Sequence, residues 1–568
     1  MNRLFCEHTK RNVIDLNGPW LFLKDPDRVG LEQGYHLGLP DGETVTVPSC
    51  WNTQLGMLNY EGLCWYEKKL TTSGGTLYLE FESVMTEATV WLDGTLLGKH
   101  YGAFSQFDFI VNDVSEGEHT LVVLADSSFT KESIPQRKVD WFNYGGIARP
   151  VYAHELKGIS VLLNHVKYEL NEGLNKATIS CDIELYNATP IERTESVKIT
   201  LDDTLIYNGW ATLGGYERVK ITTPAYEFEG VELWDIDSPR LYTATATTDS
   251  DDLVDRVGFR KIEAKNSKIY LNNKEIELRG VNRHEEHPDW GFAFPEGLMK
   301  KDIDLILNMG CNTIRGAHYP QSRIFIDMLD ERGILFWSEI PIWGGGFPDD
   351  VLENPVVVER GLEMHREMTK YYYNHPSIII WGMHNEIYTL YPCTHGISEK
   401  YHGHLRAHGG NRLITHAAAF PFEDDSLEFD DIICINMYHG WYGGDLKAWD
   451  KTVDDFRAHR EKLGMSHKPV VFSEFGAGAL AGYHQHFDNL RWSEEYQSDL
   501  LKYCLELFHR TDCICGFYIW QFMNIRTSDE MNINRVRYYN NKGIVDEYRN
   551  PKKAYFTVKE LYEGFSEE

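Results

Sequence analysis

The second half of the chain repeats one pattern, in which a short apolar run is followed by a stretch with helical spacing. Eight such runs occur: IELRGVN (276–282), NTIRG (312–316), ILFWSEIP (334–341), IIIWGMHNE (378–386), RLITHA (412–417), DIICINMY (431–438), PVVFSEFG (469–476) and GFYIWQF (516–522). Continuous apolar runs of this length are typical of parallel strands buried on both faces. Between the first two, Met299, Ile303, Ile306 and Leu307 form a helical stripe that stops before Gly310. Eight strands alternating with helices predict a (β/α)8 TIM barrel over residues 263–568.

The preceding 262 residues alternate apolar and polar positions instead, with DG, GG and EG turn signals between the runs. Residues 1–158 contain TLYLEFESV and HTLVVLADS, which favour an N-terminal jelly-roll-like β-sandwich. In residues 159–262, the run ATISCDIELYN places Ala177, Ile179, Cys181, Ile183 and Leu185 on one face of a strand. About 100 residues of such short strands favour an immunoglobulin-like β-sandwich.

The net charge of −30 argues against nucleic acid or an anionic membrane as a partner. An anionic ligand would therefore need a cationic pocket of its own. The N-terminus shows no apolar leader, and no window reaches 18 apolar residues, so we expect a soluble cytoplasmic protein. Its ten cysteines lack metal-binding or CxxC spacing and are expected to be reduced.

Polar side chains gather where the predicted barrel strands end. The fourth strand, IIIWGMHNEI, is apolar until His384, Asn385 and Glu386, and the seventh ends at Glu474. Because active sites of such barrels lie at the carboxyl ends of the strands, these side chains should face one mouth. Further candidates follow the other strands: Arg315, His318, Glu339, Asn436, Tyr438, Tyr442 and Trp520. A single terminal Glu is usually just solvated, but two with Arg, His, Asn and Trp around them indicate a functional site.

Two carboxyl groups across a barrel mouth suit glycoside hydrolysis, in which one donates a proton and the other attacks the anomeric carbon. Their environments must then separate the two pKa values, and Arg315 is a natural partner for keeping one carboxylate charged. Metal-assisted hydrolysis is the competing use of such clusters. No HExxH or dense ligand spacing occurs, so we expect neither a metal nor another cofactor.

These residues resemble glycoside hydrolase family 2 along nearly the whole chain. WGMHNE resembles its acid/base signature and FSEFGAGAL its nucleophile signature, while LRGVNRHEEHP and NTIRGAHYP resemble its first two barrel strands. The resemblance implies that Glu386 is the acid/base and Glu474 the nucleophile of a retaining β-glycosidase. It also implies that Asn385 binds the sugar 2-hydroxyl and that the two carboxyl groups lie about 5 Å apart.

Further stretches resemble the bacterial β-glucuronidases of that family: DWFNYGGIARPV (140–151), YHGWY (438–442), RWSEEYQ (491–497) and NNKG (540–543). The resemblance implies that Asn540 and Lys542 clamp the sugar carboxylate and that Asp140 reaches the sugar hydroxyls from the first domain. It also implies that the remaining sugar contacts come from His318, Tyr438, Tyr442 and Trp520.

The sequence departs from that pattern four residues before the clamp asparagine, where β-glucuronidases have an arginine and this chain has Val536. Arg535 and Arg537 flank it, and a one-residue shift would restore an arginine to the pocket; Arg537 is taken as that residue. The departure leaves glucuronate and galacturonate both open. The stretch IWGGGFPDDVLENP after the third strand is short, which predicts a mouth open to bulky leaving groups.

The leading hypothesis is a retaining exo-β-glucuronidase that releases glucuronic acid from a small-molecule glucuronide or a uronic-acid-capped oligosaccharide. A β-galacturonidase, or a hybrid of the two, is the alternative with the same chemistry. A neutral-sugar β-glycosidase and a non-catalytic carbohydrate-binding protein are the less favoured hypotheses. The family resemblance is compatible with a homo-oligomer, on which the sequence is silent.

Overall fold

The computed structural model describes residues 3–344, 347–485, 490–531 and 535–565. Two β-sandwiches lead into a closed eight-stranded parallel barrel, which confirms the predicted fold class. The domain boundaries remain predictions. The first, at 158/159, separates strands Val151–Leu156 and Ile159–Leu170, whereas the second, at 262/263, falls inside strand Ile262–Lys265.

The first sandwich packs a four-stranded sheet against a six-stranded sheet, and every strand pair in both is antiparallel. Its core is a single apolar cluster that includes Trp20, Leu79 and Val123. The four-stranded sheet runs in the order Asn12–Asp15, Val151–Leu156, Gly75–Phe81, Phe107–Val114. The six-stranded sheet runs in the order Glu43–Val47, Gly18–Asp25, Leu63–Thr72, Gly117–Asp126, Glu87–Leu92, Thr95–Tyr101.

The second sandwich has two four-stranded antiparallel sheets. Its central strand Lys176–Asn187 buries Ala177, Ile179, Cys181, Ile183 and Leu185, the face predicted from the alternation. One sheet also contains Ile159–Leu170, Arg218–Thr222 and Tyr226–Glu229; the other contains Thr204–Leu213, Arg193–Leu201, Tyr242–Thr248 and Asp252–Val257.

All eight predicted barrel strands are present and pair in sequence order, the eighth closing on the first. From the first to the eighth they are Leu278–Arg283, Thr313–Gly316, Leu335–Glu339, Ile378–Asn385, Leu413–Ala418, Ile433–Asn436, Val470–Phe475 and Ile514–Ile519. The α-helices of the described residues are Glu296–Asn308, Arg323–Arg332, Asp349–Leu352, Pro355–Tyr371, Pro392–His408, Ala448–Lys462, Glu494–His509 and Lys553–Phe565. The first helix buries Met299, Ile303 and Ile306, as the stripe predicted.

The two ends of the barrel have different surroundings. A small sheet (Ile262–Lys265, Lys268–Leu271, Lys274–Ile276) and Trp234 share an apolar cluster with Leu278 and Leu335, which begin two barrel strands. The amino ends of the strands are therefore covered by apolar packing, and the carboxyl ends remain for a site. No helix within the described residues is long and apolar enough to span a membrane.

Candidate active site

A cavity of about 440 Å³ lies at the carboxyl ends of the barrel strands. It combines both predicted catalytic glutamates with Lys542 of the predicted clamp and Asp140 of the first sandwich. Its lining is Asp140, Trp343, Glu386, Ala419, Asn436, Met437, Tyr438, His439, Tyr442, Gly443, Glu474, Trp520, Met531, Arg535 and Lys542. The volume is in the range of small-molecule sites, and the residues converge from strands far apart in sequence.

Arg315 is the electrostatic centre beneath this cavity. Its side chain is fully buried and forms salt bridges with both Glu339 and Glu474, at 2.9 Å each. It also donates to the side-chain oxygens of Asn282 and Asn385, at 3.1 and 2.7 Å. A planar guanidinium with five donors can satisfy all four acceptors at once, which explains why arginine stands at this position.

Glu474 is held by donors on both carboxylate oxygens. Oε1 accepts from Arg315, and Oε2 accepts from the hydroxyl of Tyr438 at 2.6 Å. Burial raises the pKa of Glu474, while Arg315 and Tyr438 act against that rise. Because these donors favour the ionised form, we expect Glu474 to lose its proton before Glu386.

Glu386 differs from Glu474 in that, after burial, a neighbouring negative charge has the largest effect on its pKa. Burial, and then the negative charge of Glu474, raise the pKa of Glu386 to about 8, against a hydrogen bond from Asn436 at 2.9 Å. The Glu474 charge thus favours the protonated form of Glu386, whereas the donors to Glu474 favour its ionised form, as an acid and a nucleophile require. In the structure, Glu386 can therefore hold a proton at neutral pH.

The backbone around Glu386 is tightly constrained. Its φ of 52° lies in the left-handed region, where a glutamate is costly and where functional residues recur. Its amide donates to the carbonyl of Ala417 on the fifth strand at 2.9 Å. A Cβ at Gly344 would lie 1.5 Å from the carbonyl oxygen of Glu386, so only glycine permits this approach.

A buried ion triad supports the same strand end. The imidazole of His416 contacts Asp424 at 2.8 Å and Asp430 at 3.0 Å, and all three side chains are fully buried. The two carboxylates raise the pKa of His416 to about 10, although burial acts against it. His416 directly precedes Ala417, so the triad fixes the strand to which Glu386 bonds. Sequence reasoning did not single out these three residues, because nothing local marks them as neighbours.

Lys542 is a buried cation in an aromatic surrounding. Its side chain is 2% exposed, and its ammonium donates to the hydroxyl of Tyr442 at 2.6 Å. It also lies 5.3 Å from the ring centre of Tyr438 and 4.8 Å from that of Tyr442. Among the residues that the structure describes, none forms a salt bridge with Lys542. A buried charge without an opposite charge is costly unless an anionic ligand completes it.

Buried side chains hold the backbone of the segment that carries Lys542. Lys552, 1% exposed, donates to the carbonyl of Asn541 at 3.1 Å and to that of Ala479 at 2.8 Å. Gln497 donates to the carbonyls of Lys542 and Gly543, at 3.1 Å each. These buried donors link the segment to the loop after Glu474, so Lys542 and the nucleophile strand are held in a common frame.

Asp140 reaches the barrel mouth from the first sandwich and is held there by two barrel-domain residues. Arg535 donates to both of its carboxylate oxygens at 2.8 Å, and the amide of Asn540 donates at 2.6 Å. This arrangement forms a charged wall of the cavity across the domain interface. Asn540, predicted to clamp a carboxylate, is here bonded to Asp140.

Arg535, rather than Arg537, lines the cavity, which corrects the sequence-based assignment. Arg537 contacts Glu547 at 3.0 Å, its side chain is 56% exposed, and its φ is 62°. The turn over Val536–Tyr538 directs consecutive side chains differently, so the residue before Val536 faces the pocket. The sequence showed two arginines around Val536, but it did not show which of them points into the pocket.

Three other predicted residues lie in the layer that bounds the pocket. Trp520 lines the cavity, and His318 stacks behind it with ring centres 5.0 Å apart, bonded to Glu339 at 2.7 Å. His318 is therefore a support of Trp520 and Glu339, not part of the lining. The amide nitrogen of Asn385 is buried without a hydrogen-bond partner among the described residues, which leaves a donor for a ligand. Sequence reasoning did not assign cavity roles to Trp343, Ala419 or Met531, which line it from segments outside the barrel strands.

Comparison with known proteins agrees with this geometry. Residues 262–567 match the family described as glycosyl hydrolases family 2, TIM barrel domain, and residues 164–260 match glycosyl hydrolases family 2. The first match covers more than half of the chain, so the chain belongs to glycosyl hydrolase family 2. The protein is a glycoside hydrolase, as predicted.

Relatives with several substrates resemble the chain over nearly its full length. A crystal structure of a GH2 β-galacturonidase from Eisenbergiella tayi bound to galacturonate is 32% identical, with a TM-score of 0.92 and 99% of both chains covered. A β-glucuronidase from Streptococcus agalactiae is 26% identical over 97% of this chain and 96% of that protein. A β-galactosidase from Thermoanaerobacterium thermosulfurigenes is 28% identical over 97% of this chain and 76% of that protein. The similarity alone leaves the sugar undecided.

Proposed function

We propose that the protein is a retaining exo-β-uronidase that hydrolyses terminal β-D-glucuronides. The observation that carries the proposal is the buried Lys542 ammonium in the same cavity as Glu386 and Glu474. A uronic acid supplies the anion that this cation lacks, whereas a neutral hexose leaves it unpaired. The pocket thus provides the local positive charge that a chain of net charge −30 needs for an anionic sugar.

The proposed chemistry is a double displacement. Glu474 attacks the anomeric carbon and forms a glycosyl-enzyme ester while Glu386 gives its proton to the departing oxygen. Glu386, now a carboxylate, then removes a proton from the water that hydrolyses the ester, and the configuration is retained. The salt bridge with Arg315 and the Tyr438 hydrogen bond favour the ionised form of Glu474 and orient it for the first step.

A β-galacturonide is the second candidate substrate. The two uronic acids differ in the orientation of one hydroxyl, and the Asp140–Arg535 pair is the part of the cavity suited to read hydroxyl positions. The β-galacturonidase of E. tayi supports this candidate by its 32% identity over 99% of the chain. Which of the two uronides has the higher kcat/KM is therefore tested by direct comparison.

The test compares p-nitrophenyl β-D-glucuronide, β-D-galacturonide and β-D-galactoside by kcat/KM in wild type and in Lys542→Met. We expect a uronide to be the best wild-type substrate. Leaving the substrate carboxylate without its buried partner should cost roughly 2–5 kcal/mol, which lowers kcat/KM about 30- to 4000-fold for both uronides. The kcat/KM for the galactoside should fall much less, because this substrate has no carboxylate for Lys542 to bind.

Lys502→Met is the matched control, since Lys502 is exposed on helix Glu494–His509. It should leave all three rates near the wild-type values. If wild type prefers the galactoside, or if Lys542→Met lowers all three substrates equally, the carboxylate clamp is wrong.

The acid role of Glu386 predicts the alkaline limb of the pH profile. The protonated form is the active acid, so kcat/KM should be retained below its pKa of about 8 and fall as the pH rises through it. Asn436→Ala removes a donor that favours the ionised carboxylate, so the limb should move to higher pH. An alkaline limb below pH ~6, or one that Asn436→Ala moves downward, would contradict this assignment.

A further inference from the structure

Two loops that begin at residues lining the cavity carry aromatic side chains. Tyr388 follows Glu386 by two positions, and Phe420 follows the lining residue Ala419. The rings of Tyr388 and Phe420 stack with centres 5.4 Å apart and an interplanar angle of 25°. Tyr391 adds a third ring, centred 5.6 Å from that of Tyr388. Together Tyr388, Tyr391 and Phe420 form an aromatic platform built from the loops after the fourth and fifth strands.

This platform is accessible although it is apolar. Tyr388 is 38% exposed, and Leu390 in the same loop is 49% exposed. Exposed apolar groups that continue a ligand cavity are typical of binding surfaces rather than of solvated loops. The described ring contacts of Tyr388 are with Phe420 and Tyr391, so one part of its surface is left for a ligand.

The position of the platform relative to Glu386 indicates which part of a substrate would contact it. The acid must lie next to the glycosidic oxygen, so the leaving group departs on the side of Glu386. In the proposed function Lys542 holds the carboxylate, which belongs to the sugar and not to the leaving group. The loop that continues from Glu386 to Tyr388 therefore borders the leaving-group side.

We propose that Tyr388 and Phe420 form a leaving-group subsite that binds a flat aromatic aglycone by stacking; this inference rests on the proposed function. A sugar in the same place would need partners for several hydroxyls, whereas the platform offers mainly ring faces, with two tyrosine hydroxyls as its side-chain polar groups. An aromatic ring needs none, and offset stacking on tyrosine or phenylalanine stabilises it. The natural substrates are then aryl uronides, with the carboxylate read by Lys542 and the aryl group by the platform.

The test uses non-hydrolysable competitive inhibitors of the preferred uronide: phenyl, methyl and thio-linked disaccharide 1-thio-β-D-uronides. Inhibition constants are measured for wild type, Tyr388→Ala, Phe420→Ala and Tyr388→Phe. In Tyr388→Ala and Phe420→Ala we expect the preference for phenyl over methyl to fall about three- to tenfold. Tyr388→Phe keeps the ring and should keep the preference.

Phe556→Ala is the control, because Phe556 is a 57% exposed aromatic on helix Lys553–Phe565, outside the cavity lining. Thermal unfolding of each variant shows that the fold is kept. A phenyl-to-methyl preference that survives both alanine variants overturns the subsite, and so does a loss confined to the thio-linked disaccharide. Failure of the proposed function is distinguishable, because wild type would then prefer the galactoside or hydrolyse no uronide, and the subsite would be overturned with it.

Discussion

Glu474→Gln should lower kcat/KM for the preferred β-uronide by at least roughly 10⁴-fold while the chain stays folded. Glutamine has almost the same shape and keeps an oxygen for Arg315, but its amide cannot attack the anomeric carbon. The loss therefore falls on the chemical step. Binding should suffer far less, so the dissociation constant of a competitive uronide should change by less than about tenfold.

Three measurements check this result together: kcat/KM, thermal unfolding, and mass spectrometry after treatment with a 2-deoxy-2-fluoro-β-uronosyl fluoride. The wild type should gain one covalent uronosyl group on the peptide that contains Glu474, and the variant none. Glu560→Gln, an exposed change on helix Lys553–Phe565, serves as the control and should behave as wild type. Residual activity within tenfold of wild type, or an adduct on another carboxylate, would assign the nucleophile elsewhere.

Glu386→Ala should have an effect that depends on the leaving group. For a methyl uronide, whose leaving oxygen needs a proton, kcat/KM should fall about 10²- to 10⁴-fold. For a dinitrophenyl uronide the leaving group departs without a proton, so kcat/KM should fall much less. The second step then becomes limiting, because no carboxylate remains to remove a proton from the attacking water.

Added azide separates this account from a general loss of structure. A small anion that needs no base should raise kcat of Glu386→Ala on the dinitrophenyl uronide and give a β-configured uronosyl azide. Wild type should show little acceleration, since Glu386 already activates water. Equal losses for the methyl and dinitrophenyl substrates would rule out Glu386 as the proton donor.

The barrel and the position of its mouth were predictable because strands buried on both faces appear in the sequence as continuous apolar runs. Runs such as 378–386 are apolar on both faces until the strand emerges, so Asn385 and Glu386 stand out at its end. The same reasoning found Arg315 and Glu474, which the structure joins in one salt bridge of 2.9 Å. Their catalytic roles remain proposals until the variants are measured.

The pocket wall was less predictable. Arg535 and Arg537 are equivalent in sequence, and only the turn that gives Arg537 a φ of 62° decides that Arg535 meets Asp140. The triad of His416, Asp424 and Asp430 left no sequence signal at all, since its members come together only when the loop after the fifth strand folds back.

The sequence by itself determined the two sandwiches, the eight-stranded barrel and the strand ends at which Glu386 and Glu474 lie, because burial and periodicity act locally along the chain. Only the tertiary structure decided that Asp140 faces Arg535, that Lys542 is buried without an acidic partner among the described residues, and that Tyr388 stacks on Phe420. Such contacts depend on the directions of side chains from distant segments, and no local pattern of residues specifies them.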